Sequence, residues 1–311
     1  MGIARPTLVI LGVVIVIFLL MPLSGSRFML DLATQIMIYA LFALSLNVLI
    51  GYTGNVSFGH AAYFAIGGYA CAILVTTYGW PLFLGILAAV VLSGIAALVI
   101  GAFCVRLNEI YFAMLTLAFS MLVWSVAFKW KAVTGGDDGF VGVDIPALIS
   151  DRTSFFYFVL ACVSGATAIL YVICHSTFGR ALVAIRENEV RASFLGLNAR
   201  AMRLAAFVIA GGFAGLAGAL FGLYNRGMYV ESAFWTESAQ VLIMTLLGGI
   251  YSFFGPMIGA AALYLLEVFI NQFTEYWPIV LGVILLFIVL VAPEGLAGMY
   301  ERARSRWRWS R

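Results

Sequence analysis

The stretch GYTGNVSFGHAAYFAIGGYA, Gly51–Ala70, lies between two long apolar runs and interrupts them with flexible and polar residues. It holds five glycines and one of the two histidines of the chain. Glycine permits dihedral angles outside the helical region, so the stretch predicts a broken or re-entrant helix that lines a pathway. The alternative is an ordinary tight turn followed by glycines that only let helices pack closely. The pathway interpretation assigns four residues to the substrate route: Asn55, Ser57, Gly59 and His60.

Composition places this stretch in a membrane protein. Hydrophobic residues make up 64% of the 311 positions and charged residues 10%, and the mean hydropathy is +1.08, whereas soluble domains carry roughly a quarter charged residues. A hydrocarbon core about 30 Å thick takes about 20 helical residues to cross. The sequence therefore predicts an all-α polytopic protein with about ten transmembrane helices. The ten apolar runs are Thr7–Leu23, Leu30–Ile50, Val56–Thr77, Leu82–Phe103, Ile110–Phe128, Phe155–Cys174, Leu204–Tyr224, Phe234–Ile250, Pro256–Ile270 and Pro278–Ala292.

The distribution of charge predicts how the chain threads through the membrane. Arginine is concentrated in residues 175–203 and in the tail 293–311, while residues 129–154 carry four aspartates against three basic residues. By the positive-inside rule the first two segments are expected in the cytoplasm and the third on the opposite side. Ten crossings satisfy all three placements and put both termini in the cytoplasm. The tail RARSRWRWSR is expected to anchor at the lipid interface rather than to bind nucleic acid.

A second interruption occurs late in the chain, in LLGGIYSFFGPMIGA, Leu246–Ala260. Glycine or proline breaks in both halves of a transporter point to its substrate site, so four more residues are pathway candidates: Gly248, Gly249, Gly255 and Pro256. The two interruptions do not fall at matching spans of two five-span halves. The sequence therefore leaves internal symmetry open.

Two loops outside the apolar runs carry their own signals. In residues 175–203 the apolar positions recur at near-helical spacing, which predicts a short helix outside the bilayer that stops near Gly196. That segment is either a docking element or a solvated connector. Residues 129–154 contain TGGDDG, whose glycines and aspartates are typical of turns. The spacing of an EF-hand calcium site is absent. The motif predicts a structured surface loop that contacts a partner or guards an entrance.

Several classes of function find no support in the sequence. The two lysines, Lys129 and Lys131, lie outside any P-loop context, so the chain cannot energise transport with ATP by itself. It has no H-E-x-x-H or G-x-S-x-G motif, and its four cysteines lack metal-like spacing. We therefore expect no catalytic residue, no metal site and no cofactor in this chain. Asp31 and Glu267 are acids in the apolar runs, and so few of them argue against proton coupling.

Seven motifs occur in an order that resembles the permeases of branched-chain amino acid ABC importers, specifically the M-type subunit. They are GYTGNVSFGHAAYFAIGGYA, RLNEIYFAMLTLAF, TGGDDG, FGRALVAIRENEVRASFLGLN, AFVIAGGFAGLAGAL, LLGGIYSFFGPMIGA and APEGLAGM. The resemblance covers the chain from about residue 30 onward. It implies a single permease domain, residues 1–311, with the ten-span architecture of type II importers in a bacterial inner membrane.

The resemblance also implies partners and residue roles. The partners are a second, H-type permease, two cytoplasmic ATPases that bind the ATP and magnesium, and a periplasmic solute-binding protein. Residues 175–203 resemble the coupling segment that enters a groove on the ATPase, although Val190 and Arg191 replace a glutamate–alanine pair common in the family. The residues assigned to coupling are Arg180, Arg186, Glu187, Asn188, Glu189, Ala192 and Gly196. Those assigned to the loop facing the binding protein are Gly135, Gly136, Asp137 and Asp138, where many relatives have serine in place of Asp137.

The function expected from these observations is alternating access powered by the partner ATPases. The cargo is a branched-chain amino acid or another small polar solute, such as urea, an amide or a different amino acid. The competing hypothesis is a stand-alone facilitator or an ion-coupled secondary carrier, in which the arginine-rich segment only sets orientation.

Overall fold

The computed structural model describes residues 21–272, apart from 25, 108, 144, 147 and 148, together with residues 279, 280, 282, 283, 286, 295, 296 and 298. The tenth predicted span and the tail 293–311 lie largely outside the described residues, as does the first span up to residue 20. The described residues form eleven α-helices: α1 Arg27–Asn47, α2 His60–Thr76, α3 Leu82–Cys104, α4 Glu109–Lys129, α5 Lys131–Thr134, α6 Arg152–His175, α7 Thr177–Glu187, α8 Glu189–Phe194, α9 Ala199–Tyr224, α10 Trp235–Gly248 and α11 Gly255–Asn271.

Short elements complete the described part of the chain. A π-helical turn, Val48–Thr53, extends α1, and 3-10 turns cover Met21–Ser24, Gly136–Asp138 and Val230–Ala233. The strands β1, Phe140–Val141, and β2, Gly227–Met228, pair antiparallel, with Phe140 opposite Met228. They join two loops that are far apart in sequence.

The predicted spans two to nine each coincide with a helix of the structure. Five helical segments are long and apolar enough to cross a membrane: Arg27–Thr53, Leu82–Cys104, Ile110–Lys129, Arg152–His175 and Ala199–Tyr224. Several helices begin at a side chain that accepts a bond from a free backbone amide, as Ser26 does for α1 and Asp151 for α6. The all-α polytopic fold is therefore confirmed.

Helix α1 lies at the centre of the bundle, because it packs against α6, α9, α10 and α11 and its second half is buried on every face. By contrast, α3 and α4 bury only one side, and large apolar side chains such as Phe83 and Tyr111 are exposed on the other. Such faces suit lipid or a neighbouring apolar subunit. We call the side of the bundle that carries residues 175–203 the arginine-loop side, and the side that carries residues 129–154 the acidic-loop side.

The helices form two halves of opposite orientation. In the first half α1 leads to α2 and α3, and in the second half α9 leads to α10 and α11. Each pair packs against the leading helix of the other half: α2 and α3 against α9, and α10 and α11 against α1. Since successive spans alternate in direction, α1 and α9 run in opposite directions. The two halves thus pack in the same way in opposite orientation, and this arrangement favours an inverted repeat, the internal symmetry that the sequence left open.

Candidate functional site

The first glycine-rich stretch is a break within a span. After the π-helical turn, Gly54 has φ +79° and residues 54–59 form no regular helix or strand before α2 begins at His60. The Nε2 atom of His60 lies 2.8 Å from Oγ of Ser45, which is eight residues, or about 12 Å of helix, before the end of the π-helical turn at Thr53. The chain therefore turns back beside α1, and α2 starts inside the membrane-spanning part of the bundle. The prediction of a broken helix is confirmed.

The side chains of residues 55–58 alternate between buried and half-buried positions. Asn55 and Ser57 are buried, whereas Val56 and Phe58 are half-buried, as the two-residue period of extended backbone requires. His60 is fully buried and stacks on Phe42 with 5.4 Å between ring centroids. Gly59 packs on the backbone of α4. The four predicted pathway residues of this stretch thus lie inside the subunit, and their role in substrate passage stays a prediction.

A second break occurs at residues 225–234, and sequence reasoning missed it. Oγ of Ser120, near the middle of α4, donates to the carbonyl oxygen of Ala233, and Oγ of Ser238 in α10 accepts from the backbone amide of Ala61 at 2.8 Å. These bonds place the start of α10 level with the start of α2. Two short helices, α2 with 17 residues and α10 with 14, thus begin side by side within the bundle. The available sequence signal was Asn225–Gly227, a turn in which Arg226 adopts φ +51°.

The late interruption is a turn between two spans rather than the counterpart of the first break. A Cβ on Gly248 would overlap the carbonyl oxygen of Gly255, and a Cβ on Gly255 would overlap that of Gly249. Gly249 itself has φ +108°. Pro256 occupies the first turn of α11, where proline is well tolerated. The break whose position in the bundle matches Gly54–Gly59 is 225–234, and the role of Gly248, Gly249, Gly255 and Pro256 in the substrate route stays a prediction.

The two predicted interruptions nevertheless meet at the arginine-loop side. A Cβ on Gly51 would overlap the carbonyl oxygen of Ile250. Nδ2 of Asn47 donates to the carbonyl oxygen of Ser252 at 3.4 Å. The end of α1 therefore lies directly against the turn between α10 and α11.

The arginine loop contains two helices, α7 and α8, where the sequence predicted one. Asn188 separates them and caps α8 by accepting from the amide of Arg191 at 2.8 Å, and Gly196 ends this segment with φ +83°. Ile185, Ala192 and Ala199 form a small apolar core of their own. An ion pair of 2.8 Å between Glu189 and Arg203 joins α8 to α9, while Arg180 donates to the carbonyl oxygen of His175 at 3.3 Å.

Three large apolar side chains, two on α8 and one at the residue that follows it, are exposed beside Glu189, Arg191 and Ser193, and we call these three the apolar face of α8. Val190, Phe194 and Leu195 have 66%, 86% and 76% of their surface exposed, although they belong to a segment rich in arginine. Among the residues assigned to coupling, Ala192 is buried and Glu187 is exposed. The sequence pattern counted Leu195 among the apolar positions at near-helical spacing and did not show which of them are exposed. The exposed residues Phe194 and Leu195 are therefore surface features that sequence reasoning did not find.

Arg186 is directed into the bundle rather than away from it. Its Nη1 donates to the carbonyl oxygen of Gly51, its Cζ lies 5.3 Å from the centroid of the Tyr251 ring, and its Nη2 pairs with Oε1 of Glu187 at 2.9 Å. A Cβ on Gly54 would lie 2.9 Å from Cγ of Arg186. The arginine loop is thus attached to both interruptions through one side chain.

The acidic loop is structured, as predicted. Gly135 and Gly136 both have positive φ, and the carboxylates of Asp137 and Asp138 are exposed. The pairing of β1 with β2 fixes this loop to the start of the second break. Within the described residues no three histidine, cysteine or acidic side chains are grouped to hold a metal ion. The assignment of this loop to a binding protein stays a prediction.

Acidic side chains in the spans occur in two places. Asp31 pairs with Arg152 at 2.7 Å on the acidic-loop side, and Oε2 of Glu267 accepts from Nε2 of Gln240 at 3.1 Å. Glu237, in the first turn of α10, is a further acid that sequence reasoning overlooked. One of its carboxylate oxygens is buried without a hydrogen-bond partner among the described residues.

A polytopic helical fold with two short helices that start inside the bundle, and a helical loop attached to them, is typical of membrane transporters. Residues 28–289 match the family model described as branched-chain amino acid transport system, permease component. The chain belongs to this family, and it is an M-type permease subunit of an ABC importer.

Individual relatives agree with this assignment. The chain is 31% identical to the permease protein LivM of the high-affinity branched-chain amino acid transport system of Escherichia coli K12, over 89% of this chain and 72% of the relative. It is 26% identical to a probable LivM of Methanocaldococcus jannaschii, over 86% and 93%, and 25% identical to LivH of Escherichia coli K12, over 85% and 92%. LivM and LivH are distinct permeases of the same bacterium. A solved chain, PsaBC from Streptococcus pneumoniae in complex with Fab, matches with a TM-score of 0.47 at 14% identity, covering 88% of this chain and 94% of that chain.

Proposed function

We propose that this permease imports branched-chain amino acids, or a related small polar solute, as one half of the membrane-spanning part of an ABC importer. Its partners are an H-type permease, two cytoplasmic ATPases that bind ATP and magnesium, and a periplasmic solute-binding protein. The arginine loop and both termini face the cytoplasm, and residues 129–154 face the binding protein. The solute passes by alternating access between the two permeases in a type II arrangement.

The observation that carries the proposal is the exposed apolar face of α8. Val190, Phe194 and Leu195 lie on or directly after a short helix outside the spans, next to charged residues, and large apolar side chains held in water are typical of protein contact surfaces. The small core formed by Ile185, Ala192 and Ala199 holds this helix in place. A groove on an ATPase is the partner that would bury this face. The arginine loop is therefore a coupling element rather than an inert connector.

The spans support the choice of solute. Glu237 and Glu267 are the carboxylates described in α10 and α11, while Asp31 is neutralised by Arg152. A route with so few charges suits a zwitterionic amino acid or a neutral amide better than an ion. The names of the relatives favour leucine, isoleucine and valine within that class.

The test is assembly and uptake with variants of the α8 face. In complexes purified with both permeases and tagged ATPases, Phe194→Ser with Leu195→Ser should reduce recovery of the ATPases at least about tenfold, because their removal strips apolar area from the contact. Leucine uptake into proteoliposomes should fall in parallel. The matched control, Phe83→Ser with Leu87→Ser, alters exposed apolar residues of α3 and should leave ATPase recovery unchanged. Full ATPase recovery with the α8 variant would contradict the coupling role.

The carrier hypothesis predicts that the permeases accumulate solute without the ATPases, whereas the proposed importer requires the ATPases. The two acids of α10 and α11 are the residues on which an ion-coupled mechanism would depend. Proteoliposomes that contain the permeases without ATPases should accumulate no solute under a proton or sodium gradient. Accumulation under either gradient, lost on Glu237→Gln or Glu267→Gln, would establish the carrier instead.

A further inference from the structure

Arg186 occupies a different position from the other arginines of its loop. Within residues 175–203, all of which the structure describes, Arg180, Arg191 and Arg200 are exposed and Arg203 pairs with Glu189. The Arg186 side chain is only 21% exposed and reaches two elements outside the loop. It leaves the last turn of α7 and ends between the end of α1 and the turn that joins α10 to α11.

The contact with α1 is made where that helix ends. Gly54 donates to the carbonyl oxygen of Ile50 and Asn55 to that of Leu49, so the helical pattern closes one residue before the carbonyl of Gly51. The guanidinium of Arg186 supplies the donor for that carbonyl. A bond from a charged donor to a backbone oxygen is stronger than a neutral one, particularly where water is scarce.

The contact with the second element is made by the same guanidinium. The ring of Tyr251 lies 5.3 Å below Cζ of Arg186, a geometry that favours cation–π attraction. Tyr251 itself is 71% exposed, whereas Phe253 and Phe254 of the same turn pack on the ring of Tyr171 in α6. The bond from Asn47 to Ser252 connects the same turn to α1.

A displacement of α7 therefore acts on two places at once. Gly54, immediately after the carbonyl that Arg186 binds, is the first residue of the break that leads to α2, and its Cα is covered by the methylene groups of Arg186. The turn at Tyr251 begins at the end of α10, which like α2 is a short helix that starts inside the bundle. Both helices that start inside the bundle are thus connected to the arginine loop through one guanidinium.

We propose that Arg186 is the positioning residue that transmits movement of the arginine loop to the broken spans, and that it does not itself bind the ATPase. This inference rests on the proposed coupling of the loop to an ATPase. It assigns two tasks to different residues. The apolar face of α8 binds the ATPase, and Arg186 transmits the resulting movement of the arginine loop to α2 and α10.

The experiment measures solute imported per ATP hydrolysed in the complete transporter, reconstituted with both permeases, the ATPases and the binding protein, using leucine as the probe. Arg186→Gln should leave ATPase recovery and ATP hydrolysis within about twofold of the unchanged protein and should lower the number of leucines per ATP at least about tenfold. Tyr251→Leu, at an exposed position that the fold does not need, should lower the same ratio, and the double variant should be no worse than Arg186→Gln alone. Arg186→Lys should restore part of the ratio, since it keeps the charge but not the planar fork.

The control is Arg200→Gln, which removes an exposed arginine of the same loop and should leave the ratio unchanged. Loss of the ATPases from the Arg186→Gln complex would make Arg186 part of the docking surface and overturn the inference. An unchanged ratio in both Arg186→Gln and Tyr251→Leu would overturn it as well. If the unchanged complex did not couple ATP hydrolysis to leucine uptake, the proposed function would fail instead, which separates the two results.

Discussion

At the scale of single residues, the pair formed by His60 and Ser45 shows how this protein places polar groups inside a span. Both side chains are fully buried, and the 2.8 Å contact between them joins the first residue of α2 to the last turn of α1, eight residues before the π-helical turn ends. Phe42 and Tyr63 surround the imidazole with ring contacts at 5.4 and 6.1 Å. Buried polar groups are stable only when paired, so this contact fixes the depth at which α2 begins.

Replacing His60 with alanine tests this structural role. His60→Ala leaves a cavity among aromatic rings, which should cost about 3 kcal/mol of stability, while the Ser45 hydroxyl keeps its bond to the carbonyl oxygen of Phe42. The melting temperature of the purified permease should fall by roughly 5–10 °C, as measured by thermal unfolding in detergent. Ser45→Ala, which loses the same contact but creates a smaller cavity, should show a smaller decrease. An unaltered melting temperature with abolished uptake would instead place His60 in the pathway, as the sequence alone suggested.

At the scale of elements, the crossing of α2 and α9 depends on glycines that bring the two backbones together. A Cβ on Gly67 would overlap the backbone of Gly215, and one on Gly218 would overlap the backbone of Phe64. Helices in lipid gain little from burying apolar surface, so close backbone contact is a main source of their association. The motif AFVIAGGFAGLAGAL therefore serves packing, while GYTG serves the break.

A pair of matched glycine substitutions measures the value of this crossing. Gly67→Val should prevent α2 from reaching α9 and should greatly reduce the yield of monodisperse permease on size-exclusion chromatography. Gly165→Val places the same side chain in the interior of α6, where nothing lies within 4 Å of the added Cβ, and it should leave the yield close to that of the unchanged protein. Equal yields for the two variants would show that the glycine crossing is dispensable.

The sequence predicted the long elements well and their interruptions only in part. Spans two to nine could be located because lipid imposes a length and a composition on every crossing. The break at 54–59 was visible because it belongs to a stretch, Gly51–Ala70, that carries five glycines and several polar residues within an apolar region. The break at 225–234 was missed because it falls between two predicted spans and its polar residues, such as Asn225 and Glu231, are typical of an ordinary connection. Only the contacts with α2 and α4 show that it lies inside the bundle. The direction of Arg186 was likewise set by contacts 135 residues away in sequence.

At the scale of the whole molecule, the two inverted halves explain why the interruptions differ in kind. In the first half α1 is followed by the break at 54–59 and the short helix α2. In the second half α9 is followed by the break at 225–234 and the short helix α10. The first break enters the bundle from the arginine-loop side and the second from the acidic-loop side. Sequence reasoning paired Gly51–His60 with Gly248–Pro256 because both stretches are rich in glycine. In the structure the second stretch belongs to the turn that follows the short helix α10. Composition alone does not reveal which interruptions correspond, since that depends on the position of each within its half.

The orientation of these halves in the membrane gives a final prediction, which cysteine labelling in intact cells can check. In a background whose four cysteines are replaced, Asp138→Cys on the acidic loop should react with a membrane-impermeant maleimide without permeabilisation, because its side chain is exposed and is expected to face outward. Ser193→Cys on α8 is equally exposed and should react only after the inner membrane is opened. The reverse pattern would place the arginine loop outside the cell, where no ATPase could reach it, and would contradict both the topology and the proposed source of energy.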